Sequence, residues 1–189
     1  MAEAMMNTNR SIRSTMVGRL LLSALLFWNA PSMAQTWGPI PSPITGYIQA
    51  CSFVSADTGW VIGGGPYYYI VDSIFKTVNG GATWVMQQHP PAPAHDHRYF
   101  TGLDFHGSNV GIISCVNYLY GGVDPDSVST VLWTNDGGAN WTYKDLGDNN
   151  DEHLDAVLAS DSIAYAISQY GQCKRTVDGG YSWSPANFT

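Results

Sequence analysis

A phrase of eight residues occurs three times in this chain and constrains its fold more than any other feature. It runs Thr77-Val78-Asn79-Gly80-Gly81-Ala82-Thr83-Trp84, then Thr134-Asn135-Asp136-Gly137-Gly138-Ala139-Asn140-Trp141, then Thr176-Val177-Asp178-Gly179-Gly180-Tyr181-Ser182-Trp183. The shared frame is Thr-x-(Asp/Asn)-Gly-Gly-x-x-Trp. Self-similarity at a spacing of several tens of residues marks a modular array, in which each unit is one supersecondary element that buries its core against its neighbours.

A second frame lies upstream of each copy. Phe53 to Gly63, Phe105 to Cys115 and Leu158 to Ser168 each place an apolar anchor, a polar turn and a small residue six positions on, at Gly59, Gly111 and Ala164. The spacing predicts four short strands per unit. They fall at 48–54, 59–62, 69–77 and 84–88; at 101–105, 110–116, 129–134 and 141–144; and at 156–158, 163–168, 172–176 and 183–184. The third strand runs into the Gly-Gly turn and the fourth starts at the Trp. No segment after the N-terminal leader carries a convincing helical period.

Turn chemistry accounts for the fixed positions. An Asp or Asn side chain accepts hydrogen bonds from backbone N–H groups one or two residues on. Paired glycines permit positive φ. The Trp buries a large ring at the start of the next strand, with its N–H still able to find a partner. Asn79 keeps the acceptor and loses only the charge. This reading leaves Asp136 and Asp178 as turn residues, not calcium ligands or catalytic acids.

The phrase resembles the Asp-box, or BNR repeat, of β-propeller proteins. Joined to the upstream Gly59-Trp60-Val61-Ile62-Gly63, it is most similar to the repeats of the Ycf48/HCF136-like photosystem II assembly factors; sortilin-type propellers carry similar ones. The resemblance covers roughly 47–183. It implies an all-β chain, a partial β-propeller of about three four-stranded antiparallel blades with Asp-box turns between strands three and four. The blades would be 47–89, 99–146 and 153–189, after an extended lead-in at 35–46. The implied structural turn residues are Thr77, Asn79, Gly80, Gly81 and Trp84; Thr134, Asp136, Gly137, Gly138 and Trp141; and Thr176, Asp178, Gly179, Gly180 and Trp183. Propellers close with four to eight blades. The expectation is therefore that the chain is a fragment, with self-assembly or an open stack as the alternatives. No photosynthetic role follows from the repeats.

The first 34 residues have the layout of a secretory leader. Arg10, Arg13 and Arg19 precede an apolar run at 20–30, and Ser32-Met33-Ala34 offers a cleavage site. The run is too short to span a bilayer, which takes ~20 residues. A secreted, periplasmic or envelope location is expected, with no stable membrane insertion after cleavage. Removing the leader takes three of eight basic residues and one of fifteen acidic ones, leaving five against fourteen, a net charge of −9 with His neutral. The five cations form no cluster, so nucleic acid and anionic membranes are poor partners. Cys51, Cys115 and Cys173 are an odd set. Export permits one disulfide with one thiol left over, but without Cys-x-x-Cys or Cys/His spacing three small buried strand residues are the favoured reading.

Few residues suggest catalysis. Sialidases, the best-known enzymes with this repeat, use three arginines, and after the leader only Arg98 and Arg175 remain. Glycosidases of the xyloglucan-degrading kind need two facing carboxylates. Asp124/Asp126 and Asp151/Glu152/Asp155 are the candidates, with solvated loops as the favoured reading. His95 and His97, near His89 and His106, are weak metal candidates for want of a third strong ligand. Tyr67 and Tyr69, with Trp60, Tyr118 and Tyr120, make the best candidate ligand face. A non-catalytic scaffold that binds protein or glycan, without cofactor, is the expected function. The alternative is a piece of a propeller glycoside hydrolase lacking most of its catalytic residues.

Overall fold

The computed structural model describes residues 39–64, 72–91, 97–119, 126–149, 153–168 and 170–186. They form twelve strands and, among the described residues, no helix. The first blade holds β1 (Ile48–Phe53), β2 (Gly59–Gly63), β3 (Ser73–Thr77) and β4 (Val85–Gln87). The second holds β5 (His97–His106), β6 (Val110–Leu119), β7 (Asp126–Thr134) and β8 (Thr142–Asn149). The third holds β9 (His153–Leu158), β10 (Ala164–Ser168), β11 (Cys173–Thr176) and β12 (Ser184–Pro185). Each blade is an antiparallel meander whose strands pair in chain order. The Gly-Gly turns join β3 to β4, β7 to β8 and β11 to β12.

Register repeats from blade to blade. Gly59 pairs with Phe53 and Thr77, Gly111 with Phe105 and Thr134, and Ala164 with Leu158 and Thr176. The small residue has a packing reason. A Cβ on Gly59 would overlap the ring of Phe53, and one on Gly111 the ring of Phe105. In the third blade the anchor is the smaller Leu158, and Ala164 fits beneath it. The anchor and the small residue thus change together.

Two apolar clusters hold the blades together. Trp60, Ile62 and Ile74 of the first blade meet Leu103, Phe105 and Ile113 of the second. On the other side of the second blade, Ile112, Val131 and Trp133 meet Ala156, Ala164 and Ala166 of the third. The middle blade is therefore covered on both faces, and the stretch of β6 from Val110 to Asn117 is buried throughout. That explains its near-continuous apolar sequence. β10, covered on one face, alternates, with Ala164 and Ala166 buried and Ile167 48% exposed. Polar bonds also cross the joints. Tyr99 Oη donates to Gln49 Oε1 at 3.0 Å, and the Leu158 N–H donates to Asp104 Oδ2 at 2.8 Å.

The cysteines depart from expectation. All three lie on strands as free thiols, but only Cys115 is buried; Cys51 is exposed and Cys173 partly so. Burial pushes the Cys115 thiol up to about 12, which makes it inert. Among the described residues only the middle blade has a blade packed on each face, which accounts for the difference. The leader lies outside the described residues.

Candidate functional site

Each turn is built by the same hydrogen bonds. Thr134 Oγ1 accepts from the N–H of Asp136 at 3.3 Å and of Gly138 at 2.9 Å, and donates to Asp136 Oδ1 at 2.8 Å. Thr77 and Thr176 repeat this with Asn79 and Gly81, and with Asp178 and Gly180. The Asx side chain reaches further than one or two residues. Asn79, Asp136 and Asp178 accept the N–H four positions on, from Thr83, Asn140 and Ser182, at 2.8–3.0 Å. The side chains of those three residues close a second bond onto the Asx group. Their position is variable in the repeat frame, and its signal is that all three occupants are short and polar. All six glycines of the turns have φ between 66° and 87°.

These bonds set the acidity of the turns. The hydroxyl and N–H of Ser182, with the Thr176 hydroxyl, pull Asp178 down to about 2. At Asp136 desolvation is the largest single influence and acts in the opposite sense, but hydrogen bonds from Asn140, Thr134 and Ala139 together outweigh it and lower the value. A carboxyl lowered on folding stabilises the fold fully above its ordinary value near ~4, and loses that contribution as pH falls through the folded value. Melting temperature is therefore expected to drop between pH 4 and pH 2. The double variant Asp136→Asn and Asp178→Asn should flatten that slope while folding normally at pH 7, since Asn79 already serves in the first turn. Thermal melts across this pH range check it, and an unchanged slope would count against the turn bonds.

The turns are also the joints between blades. Trp60 of the first blade is fully buried; its Nε1 donates to the carbonyl of Gly137 in the second blade's turn at 3.2 Å. Lys76 Nζ donates to the same oxygen at 2.9 Å. The Trp60 ring stacks on Phe105, with centroids 3.6 Å apart and planes 7° apart, and Trp141 meets Phe105 edge-on. Trp133 of the second blade lies against Gly180 of the third, and Ile40 of the lead-in lies against Gly81 of the first. Each turn thus receives an apolar side chain from the element before it. The turn tryptophans differ from one another. Trp84 Nε1 donates to Pro41 O at 3.1 Å, whereas the buried Nε1 atoms of Trp141 and Trp183 have no partner among the described residues.

Where the second blade's turn docks, a groove of about 310 Å³ opens, lined by Lys76, Val78, Thr83, Val85, Gln87 and Ala139, with Gly137 at its base. One wall is β4, the outer strand of its sheet. Val78 is 66% exposed and Val85 63%. Lys76 is already committed to the Gly137 carbonyl and lies 4.9 Å from the Trp60 ring centroid. The groove is therefore largely aliphatic, and among the described residues no strand pairs with the outer side of β4. Repeat reasoning did not find it, because it forms only where two blades meet.

Of the candidate ligand face only Trp60 and Tyr118 are among the described residues, and they lie apart. Trp60 is a joint residue closed off from ligand. Tyr118, partly buried, lies near the other end of its sheet, since β6 starts at the turn side with Val110 and Tyr118 pairs with Ser127. Tyr67, Tyr69 and Tyr120 lie outside the described residues, as do His95, Asp124, Asp151, Glu152 and the side chains of His97 and Asp126. His89 and His106 have separate duties. His89 sits between Asp72 O and the Arg98 guanidinium, and His106 Nδ1 pairs with Asp161 at 2.8 Å. Asp155 accepts the N–H of Ala156 at 2.8 Å, and Asp104 those of Phe105 and Leu158. Desolvation, reinforced by the nearby Asp104 charge, raises Asp155 above the usual carboxylate range despite that bond. These carboxylates cap the inner strands at the joint of the second and third blades.

Among solved structures, the chain is similar to Ycf48 bound to a D1 peptide, with a TM-score of 0.57 and 24% identity, over 76% of this chain and 40% of that one. It is similar also to Ycf48 from Cyanidioschyzon merolae, with a TM-score of 0.51 and 19% identity, over 77% of this chain and 41% of that one. The fold is a partial β-propeller. The chain spans about two fifths of the length of those propellers. No family model and no curated protein sequence matches it.

Proposed function

We propose that this propeller is a non-catalytic scaffold that binds protein, and that the groove beside β4 holds an extended peptide segment. The observation that carries the reading is an open strand edge flanked by exposed Val78 and Val85 at the mouth of a blade joint. A peptide added to such an edge gains main-chain hydrogen bonds, and alternate side chains enter the flanking pocket. Aliphatic walls favour peptide over sugar, because sugar recognition by stacking calls for an exposed ring and Trp60 is sealed beneath the joint. The carboxylates of Asp104, Asp136 and Asp178 are engaged by backbone N–H groups, which supports a role without acid–base chemistry. The Ycf48 structure with a D1 peptide gives the reading a precedent in fold. The repeats are taken as Asp-boxes acting as structural turns, in a protein exported to the envelope or beyond by the leader.

A fluorescently labelled D1 peptide and an array of unrelated extended peptides provide the probes. Binding in the micromolar range is expected for at least one array member, weakened tenfold or more by Val85→Asp, or at least ~1.4 kcal/mol. Release of reducing sugar from xyloglucan or of sialic acid from a sialoside would replace the scaffold reading with the hydrolase one. Peptide binding indifferent to Val85→Asp would move the site elsewhere.

A further inference from the structure

The groove beside β4 has a counterpart at the joint of the second and third blades, and the two differ in what the turn places there. The repeats fix the correspondence. Ala139 and Tyr181 hold the same position in the turn phrase, directly after the two glycines. On the fourth strands the pair Lys76 with Val85 is equivalent to Trp133 with Thr142, and Ile74 with Gln87 to Val131 with Lys144. Gln87 and Ala139, which face each other across the groove, therefore stand where Lys144 and Tyr181 stand one joint on.

At that second joint the chain supplies its own occupant. Lys144 Nζ lies 3.4 Å from the centroid of the Tyr181 ring. The lysine stem is fixed beneath it, with Cγ 3.5 Å from where a Cβ on Gly180 would lie. Tyr181 is 81% exposed, so its ring is held by the neighbouring blade's lysine and not by a core. An ammonium group near the face of a ring is attracted by the ring quadrupole.

At the first joint the turn carries only the methyl group of Ala139, and the same place is open, with a volume of about 310 Å³. Its walls keep what a ring needs. Val78 and Val85 present exposed methyl groups. Lys76, whose ammonium already lies 4.9 Å from the Trp60 ring centroid, brings a cation to the same groove.

We infer, resting on the peptide-binding reading above, that the groove takes an aromatic side chain of the bound peptide, Tyr or Phe, seated where Tyr181 sits at the next joint. A ring covers both valines with a large flat face. Its quadrupole also meets the lysine ammonium, which a leucine side chain cannot do.

A fluorescently labelled, threonine-rich extended peptide with Tyr, Phe, Leu or Ala at one central position is the probe, used with the full chain. The Tyr and Phe peptides are expected to bind roughly tenfold more tightly than the Leu peptide, and the Ala peptide more weakly still. Ala139→Tyr should abolish the preference by seating the chain's own ring in the groove, whereas Ala139→Ser should leave it intact. Position 139 is exposed and its counterpart in the third blade is Tyr181, so both variants should match the parent in circular dichroism and melting temperature. Gln87→Lys, which copies the cation of the second joint, should tighten the Tyr and Phe peptides about two- to fivefold and leave the Leu peptide unchanged. p-Cresol offers the ring without a backbone, and at millimolar concentration it should shift the NMR methyl signals of Val78 and Val85 in the parent but not in Ala139→Tyr. Methyl signals that stay in place would overturn the ring assignment whatever the peptides do. Peptides bound equally with any central residue, yet weakened by Val85→Asp, would overturn it too and leave the peptide-binding reading standing. Binding indifferent to both Val85→Asp and Ala139→Tyr would overturn both.

Discussion

Trp60→Ala is expected to lower stability by about 4 kcal/mol, within the range for truncating a buried aromatic. Trp60 is the largest side chain the first blade contributes to its joint, with 0% of its surface exposed. Its removal leaves a cavity between two sheets, strips Phe105 of a stacking partner and removes one of two donors to Gly137 O. The joint has little means of collapsing into the space, because Phe105 is also wedged over Gly111. Trp60→Phe should lose roughly half as much. It keeps a ring against Phe105, and Lys76 still satisfies the carbonyl. Urea unfolding reads both variants through the midpoint. A loss below about 1 kcal/mol for the alanine variant would mean that the joint contributes little to holding the blades.

Gly137→Ala is expected to cost about 3 kcal/mol through two separate terms. Gly137 has a φ of 70°, and a Cβ there adds roughly 1–2 kcal/mol of backbone strain. That Cβ would also lie 2.6 Å from the backbone oxygen of Ser108 and 2.9 Å from Lys76 Nζ. Lys76 can withdraw, but the Ser108 carbonyl is held in place by its turn. Overpacking of this kind adds roughly 1–3 kcal/mol. Gly107→Ala separates the terms. Gly107 has a φ of 63° and nothing within 4 Å of an added Cβ, so only the strain applies and about 1 kcal/mol is expected. Equal losses at the two positions, measured by the same unfolding experiment, would show that packing of the Gly-Gly turn against the β5–β6 turn of its own blade adds nothing.

Legibility differed sharply between the turn and its surroundings. The Thr, Asx and Gly-Gly positions were readable because their demands are local. A threonine hydroxyl spans two N–H groups within four residues, and positive φ depends on the residue's own Cβ. Thr83, Asn140 and Ser182 are equally local, but three different residue types fill one chemical role, so the repeat frame does not show it. The joint partners were beyond reach. Trp60 looked like an exposed ring near a cluster of tyrosines, and nothing within its own strand shows that a glycine carbonyl 77 residues later would accept its N–H. The groove beside β4 is hidden for the same reason, since its walls come from two units.

The sequence by itself determined the strand count and the place of each tight turn, while the antiparallel blade came only with the resemblance of the repeats to Asp-box propellers. The count and the turns follow from alternation, small-residue placement and the conformational limits of a few residues, all set within about ten positions of one another. Only the tertiary structure decided which aromatic residues are sealed in joints and which carboxylates accept from neighbouring strands. Those outcomes depend on what lies across a sheet interface about 10 Å thick, where contacts join residues far apart in the chain.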